Sequence, residues 1–174
     1  MNNSALIHES LRNKKTMDQI VASPIEWAYL AGIIDGEGCV DAIESKPRTR
    51  YNVSPCFRIR LCVTNTSERL IVWIHDHFSG QINLHHWPGQ YKSTKNCWRV
   101  IWTGGTAEKI LRGCLPYMIV KKHQAELAFK LRAMVGEYSP KNRRIAGRAA
   151  KLSDEVLSER RAVITALKAA KKIQ

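Results

Sequence analysis

The stretch Leu30-Ala31-Gly32-Ile33-Ile34-Asp35-Gly36-Glu37-Gly38 decides how the rest of the chain is read. Upstream, Ser23-Pro24-Ile25-Glu26 has a capping serine, a proline suited to the first helical position and a glutamate three residues after the serine. Together these mark a helix start. The helix is predicted to run through Trp27, Leu30, Ile33 and Ile34 and to stop at the glycines of Asp35-Gly36-Glu37-Gly38. Ala28, Ala31, Gly32 and Gly36 are expected along one side and Leu30, Ile33 and Ile34 along another, so a second helix can approach the small side closely. Asp35 and Glu37 add negative charge at the end where the macrodipole is already negative. A hard divalent cation would offset that charge, since carboxylates and free terminal carbonyls are the ligands Mg²⁺ prefers. A capped core helix whose acidic end faces a basic surface is the alternative.

Downstream the pattern changes to period two. Strands are expected from Cys39 to Lys46 and from Tyr51 to Thr64, with Pro47 and Asn52 near the turn, and Phe57, Ile59, Leu61 and Val63 alternate with Arg58, Arg60, Cys62 and Thr64. Ser67-Glu68 opens a second helix that Gly80 stops; two more strands follow, Gln81 to Trp87 and Cys97 to Thr103. Thr106 to Leu115 reads as a third helix, and a fourth, after Pro116, carries Leu127, Leu131, Met134 and Val135 on one stripe. Ser139-Pro140-Lys141-Asn142-Arg143-Arg144 reads as a basic linker, and a last helix from Ser153 is expected to bury Val156, Val163, Leu167 and Ala170. The class is α+β. The divisions are an extension over residues 1–22, a core over 23–138, and a basic linker with a C-terminal helix packing on the core over 139–174.

The 174 residues carry a net charge of +13, while 44% hydrophobic content is ordinary for a globular chain and argues against a disordered basic tail. A chain of this length buries about 70% of the surface its unfolded state exposes, so it needs neither disulfides nor a structural metal. The opening segment is net acidic; the positive excess lies beyond it, most densely after residue 139. Such a surface suits a polyanion, of which DNA and RNA are the commonest, although basicity for solubility alone is the plainer alternative. The five cysteines, odd in number and never in a C-x-x-C pair, are read as reduced, small core residues. No apolar run is long enough to cross a bilayer and the first twenty residues have no apolar core segment, so the expected location is intracellular, in the cytoplasm or nucleoid or in an organelle. His75 and His77 alternate on a helix and would point apart, so a zinc site is not suggested.

The nine-residue stretch resembles the signature of the LAGLIDADG homing endonucleases, and the α-β-β-α-β-β-α order around it resembles that family's fold, in which the antiparallel sheet forms a DNA-binding saddle. One copy is present, and single-motif members of the family are homodimers joined through the motif helix, here residues 24–37. The resemblance implies a site-specific endonuclease that makes double-strand breaks in a long pseudo-palindromic target, leaves short 3′ overhangs and promotes intron mobility. Double-stranded DNA is then the partner. It also implies a divalent cofactor, Mg²⁺, with Mn²⁺ substituting and Ca²⁺ binding without supporting cleavage. Glu37 and the Gly36 carbonyl fall on the metal-ligand positions, Lys121 on the catalytic-pocket lysine, and Asn65 and Arg69 around that pocket. The family often has Gln in place of Asn65; Arg69 also reads as a solvated charge at a helix start. Asp35 is expected to brace the helix junction.

Period two selects the base-reading candidates. They are Asp41, Ile43 and Ser45 on the first strand, Arg58, Arg60 and Thr64 on the second, Asn83 and His85 on the third and Arg99 on the fourth. A slip of one residue would invert each list. Arg143, Arg144, Arg148, Lys151, Lys171 and Lys172 suit phosphate contacts. Two other classes remain: a cleavage-deficient RNA maturase or DNA-binding regulator on the same scaffold, and a structural protein that coats nucleic acid.

Overall fold

A computed structural model describes residues 20–47, 54–85, 97–137, 144–145, 148–149 and 151–172. The extension before Ile20, the Asn52 turn, Trp87 and Arg143 lie outside the described residues, as do the side chains of His85, Arg144 and Arg148.

Helix α1, Pro24–Glu37, begins on a complete capping box: the Ser23 hydroxyl accepts from the Glu26 N–H while the Glu26 carboxylate accepts from the Ser23 N–H at 2.6 Å. The stop at its other end is steric. Gly36 is still helical, and Gly38 has an extended φ of −75°, so no left-handed glycine cap forms. A Cβ on Gly38 would lie 2.6 Å from the Ile34 carbonyl oxygen and 2.7 Å from the Ile34 Cα, which leaves room for glycine alone as the chain turns straight into strand.

Strands β1, Gly38–Ser45, and β2, Cys56–Asn65, form one antiparallel pair. Helix α2, Glu68–Phe78, capped by Ser67, leads through Ser79 and Gly80, both at positive φ, into β3, Gln81–His85, and β4, Cys97–Thr103. The sheet order is β1-β2-β4-β3, all neighbours antiparallel, so β4 returns to lie beside β2. Helix α3, Gly105–Cys114, a single 3₁₀ turn over Leu115–Tyr117 and helix α4, Lys122–Glu137, complete the layer on one face of the sheet. Val40 and Ala42, Phe57, Ile59, Leu61 and Val63, Val100 and Trp102 point into that layer and pack on Leu30, Ile34, Ile71, Phe78, Ile110, Leu111 and Leu131. Buried Trp102 keeps its indole N–H satisfied by donating to the Phe78 carbonyl at 3.1 Å.

Three expectations are corrected by this packing. Ala31 is fully buried beside Leu30 and Ile34, so it belongs to the core side of α1 and not to the small outward side. Arg144–Ile145 (β5) and Arg148–Ala149 (β6) pair as a two-stranded antiparallel ribbon where a plain linker was expected. Three of the cysteines are not core residues: Cys39, Cys56 and Cys97 are only half-buried, and together with Cys62, which is buried, they share the strand parity of Asp41, Arg58 and Arg99 and so lie on the opposite face of the sheet. Cys114 alone is in the core cluster.

Helix α5, Asp154–Ala170, packs on α4 and along β1. Its buried stripe is Leu157, Arg160, Val163, Ile164 and Leu167. Arg160 donates from Nη2 to the Met134 carbonyl at 2.7 Å and lies over the Phe57 ring, while Arg161 holds Glu44 of the edge strand at 2.7 Å.

Candidate active site

Glu37 is the last residue of α1 and is exposed. Asn65, the last residue of β2, donates from Nδ2 to the Glu37 Oε2, and its own Oδ1 accepts the Ser67 N–H at 2.7 Å. The amide is thereby fixed between the end of a helix and the start of α2. On the other side stands residue 35. The Asp35 carboxylate accepts the backbone N–H groups of Ile119 at 2.7 Å, Val120 at 3.1 Å and Lys121 at 2.9 Å, which ties the approach to α4 onto the end of α1.

Two lysines at the start of α4 oppose that helix's dipole. Lys121 resolves the conflict by turning its ammonium away, to donate to the Asp35 carbonyl oxygen at the negative end of α1. A carboxylate, an amide and an ammonium therefore converge on one helix terminus. Of the last-turn carbonyls, which have no intrahelical donor, Ile34's is taken by the Gly38 N–H and Asp35's by Lys121. Gly36's is the next in line. Arg69, in the first turn of α2, is exposed.

An exposed carboxylate and a helix-end carbonyl are hard oxygen donors of the kind Mg²⁺ takes. Among the described residues no three His, Cys, Asp or Glu side chains converge to hold a metal ion.

The register places the base-reading candidates on one sheet face. Asp41 pairs with Arg60, Ile43 with Arg58, Ser45 with Cys56, Thr64 with Arg99, and Asn83 with Arg99 from the other edge; His85 is opposite Cys97. Their environments differ. Arg58 is exposed, whereas Arg99 donates to the Thr64 hydroxyl at 3.0 Å. Asp41 is engaged on both sides, by Arg60 at 2.8 Å and by Lys171 at 3.0 Å. Burial works against its charge, but the hydrogen bond and charge of Lys171, with help from Arg60, outweigh it and hold the carboxyl below its ordinary value. Lys171 also donates to the Cys39 Sγ at 3.4 Å. The hydrogen bond from Cys62, aided by Lys171 and opposed by burial, lowers the Cys39 thiol to about 6 and pushes Cys62 up in turn. Burial raises Cys114 to about 12.

Lys171 was grouped with phosphate-contacting residues of the tail; its place beside Asp41 comes from the packing of α5 on β1, which no local pattern announces. A second group was also missed. Ile25 is 80% exposed, Tyr29 54%, Ile119 87% and Val120 48%, a run of bare apolar side chains along α1 and at the loop that Asp35 holds. The signal available was that α1 is apolar all round, a pattern that calls for burial on both sides. A shallow groove lined by Ala28, Tyr29, Gly32, Ile33, Gly36, Glu37 and Leu70 follows the outward side of the helix.

Among the described residues no helix is long and apolar enough to cross a membrane. No family model matches the sequence and no curated protein matches it. Solved structures do. The homing endonuclease I-CvuI, in complex with its target in the presence of Ca, superposes with a TM-score of 0.60 at 18% identity over 84% of this chain and 82% of that one. The archaeal intron-encoded homing endonuclease I-Vdi141I, complexed with DNA, gives 0.59 at 14% over 84% of each. The LAGLIDADG meganuclease I-CpaMI, bound to uncleaved DNA, gives 0.54 at 15%, over 82% of this chain and 43% of that one. With this architecture and this motif at the end of α1, the chain has the α+β fold of the LAGLIDADG homing endonucleases.

Proposed function

We propose that the protein is a homodimeric, divalent-metal-dependent DNA endonuclease that cuts both strands of a long pseudo-palindromic site, leaves short 3′ overhangs and promotes the mobility of an intron. The observation that carries this reading is the convergence of Glu37, Lys121 and Asn65 at the end of a helix whose outward side is apolar and bare, next to a sheet face that carries Arg58, Arg60 and Arg99. That three structures with the same fold are complexes with DNA is in keeping with it.

Each residue has a task in this reading. The outward side of α1, from Ile25 through Tyr29, Gly32 and Gly36, packs against its copy about a twofold axis, and Ile119 and Val120 extend the contact. Both Glu37 carboxylates then stand at one end of the helix pair and together supply the donor set. Glu37 and the Gly36 carbonyl hold the cation, which when bound supplies a Lewis acid for water activation and for the departing 3′ oxygen. Mg²⁺ is the natural ion, Mn²⁺ replaces it, and Ca²⁺ supports binding without cutting. Asn65 orients Glu37. The Lys121 ammonium, at the phosphate, orders water or neutralises developing charge, and Arg69 adds positive charge from the start of α2. Arg58 and Arg99 suit guanine edges in the major groove. Asn83, Thr64, Ile43, Ser45 and His85 complete the reading face, and Arg143, Arg144 and the ribbon contact phosphates.

The test uses the host locus with and without its inserted element. Cutting of the uninterrupted allele alone, in Mg²⁺, with loss of cutting but retained binding in Glu37→Gln, supports the reading. Binding without cutting in both Mg²⁺ and Mn²⁺ overturns it in favour of a binding module. An Ile25→Glu variant tests the dimer by sedimentation: it is expected to be monomeric where the parent is dimeric, and a parent that is monomeric on its cognate duplex removes the shared site.

A further inference from the structure

Cys39 and Cys62 stand directly opposite each other on β1 and β2, on the sheet face that carries the arginines. The Lys171 ammonium lies 3.4 Å from the Cys39 sulfur and is held there by Asp41 at 3.0 Å. Directly opposed residues of an antiparallel pair have Cα atoms about 4.5–5.5 Å apart, inside the range of about 4.4–6.8 Å that a disulfide spans. The backbone separation of such a pair is therefore within the span of a disulfide. The other thiols differ: Cys56 is opposite Ser45, Cys97 is opposite His85, and Cys114 is fully buried.

We propose that Cys39 and Cys62 are a redox-active dithiol, oxidised by hydroperoxides to an intramolecular disulfide. This goes beyond the endonuclease reading and does not depend on it. The Cys39 sulfur attacks the terminal peroxide oxygen and the O–O bond breaks. The proton of Cys39 leaves with the departing oxygen, as water when the oxidant is hydrogen peroxide, and Cys39 becomes a sulfenic acid. The neighbouring ammonium stabilises the electron-rich attacking sulfur. The Cys62 sulfur then attacks the sulfenic sulfur; the S–S bond forms, the S–O bond breaks, and hydroxide departs with the Cys62 proton as a second water. Two thiols are oxidised and one peroxide is reduced to two waters. Cys62 is the resolving partner, which is why the sulfenic acid does not persist.

The full-length reduced protein is treated with one equivalent of hydrogen peroxide, quenched with iodoacetamide and mapped by peptide mass spectrometry. The expected product is two hydrogens lighter, contains a Cys39–Cys62 linked peptide, leaves Cys56 and Cys97 alkylated, and reverts with dithiothreitol. In Cys62→Ser, a conservative exchange of sulfur for oxygen, Cys39 is expected to be trapped by dimedone as the sulfenic acid. Lys171→Met is expected to slow formation of the linked peptide several-fold. The proposal is overturned if Cys56 or Cys97 is oxidised while Cys39 and Cys62 stay alkylatable, if the linkage forms between two protomers, or if dimedone labels Cys39 equally with and without Cys62.

Discussion

Replacing Asp35 with alanine removes the acceptor of three backbone N–H groups at once. The carboxylate joins α1 to the segment before α4 through Ile119, Val120 and Lys121, at 2.7, 3.1 and 2.9 Å. A hydrogen bond to a charged acceptor contributes about 1.5–3 kcal/mol when sheltered. Ile119 and Val120 are exposed, so water takes over part of the loss, and about 1 kcal/mol for each of the three is the better figure. Asp35→Ala is therefore expected to cost about 3 kcal/mol, a fall in Tm of about 6–12 °C for a chain of this size. Asp35→Asn should cost less. Both Ile119 and Val120 donate to Oδ2, so an amide oxygen placed there retains two of the three bonds and turns its NH₂ towards Lys121, for a loss of about 1–2 kcal/mol. Guanidinium chloride unfolding at one protein concentration measures both, read as a shift of midpoint with an unchanged slope. An alanine variant within about 0.5 kcal/mol of the parent, or an asparagine variant as damaged as the alanine one, would refute the bracing role.

Lys121→Met keeps an unbranched apolar stem and removes the ammonium; cleavage is expected to fall about 10²–10³-fold with DNA binding largely kept, measured by single-turnover kinetics and gel shift on the same duplex. Gly38→Ala forces a methyl against the Ile34 backbone, which cannot rotate away, and should cost about 1–3 kcal/mol in denaturant unfolding. The depressed Asp41 carboxyl gives an acid-side prediction. Its folded value is below the unfolded one, so its contribution is complete above the ordinary carboxylate range and is lost as pH falls through the depressed value. Stability measured from neutral pH down to about pH 3 should therefore drop less in Asp41→Asn than in the parent; equal slopes would show that Lys171 and Arg60 do not hold the charge.

Local signals were legible where the chemistry is local. The Ser23 box, the alternation in Phe57–Thr64 and the motif from Leu30 to Gly38 each depend on neighbours within a few residues, and each corresponds to the element observed. The parity of the strands also follows from alternation, so the sheet face that carries Arg58, Arg60 and Arg99 could be named before the register was known. What escaped was set by distant contacts. Ala31 and Gly32 are adjacent small residues, and only the packing of α1 on the core decides that one is fully buried and the other exposed. The cysteines were assigned inward on residue type, although the same alternation that placed the arginines places Cys39, Cys56, Cys62 and Cys97 outward with them. Arg144–Ile145 and Arg148–Ala149 are strands of two residues, too short for any periodicity to mark. The partnership of Asp41 with Lys171 spans nearly the whole chain.

That long span bears on how the protein is made. Edge strand β1 precedes the helix that covers it by more than a hundred residues, so on the ribosome its unpaired N–H and C=O groups wait, open to any stray strand, until the last turn of α5 has been synthesised. A polypeptide released early, or clipped before Asp154, would keep the motif helix and the sheet but leave that border uncovered and open to pairing with another chain.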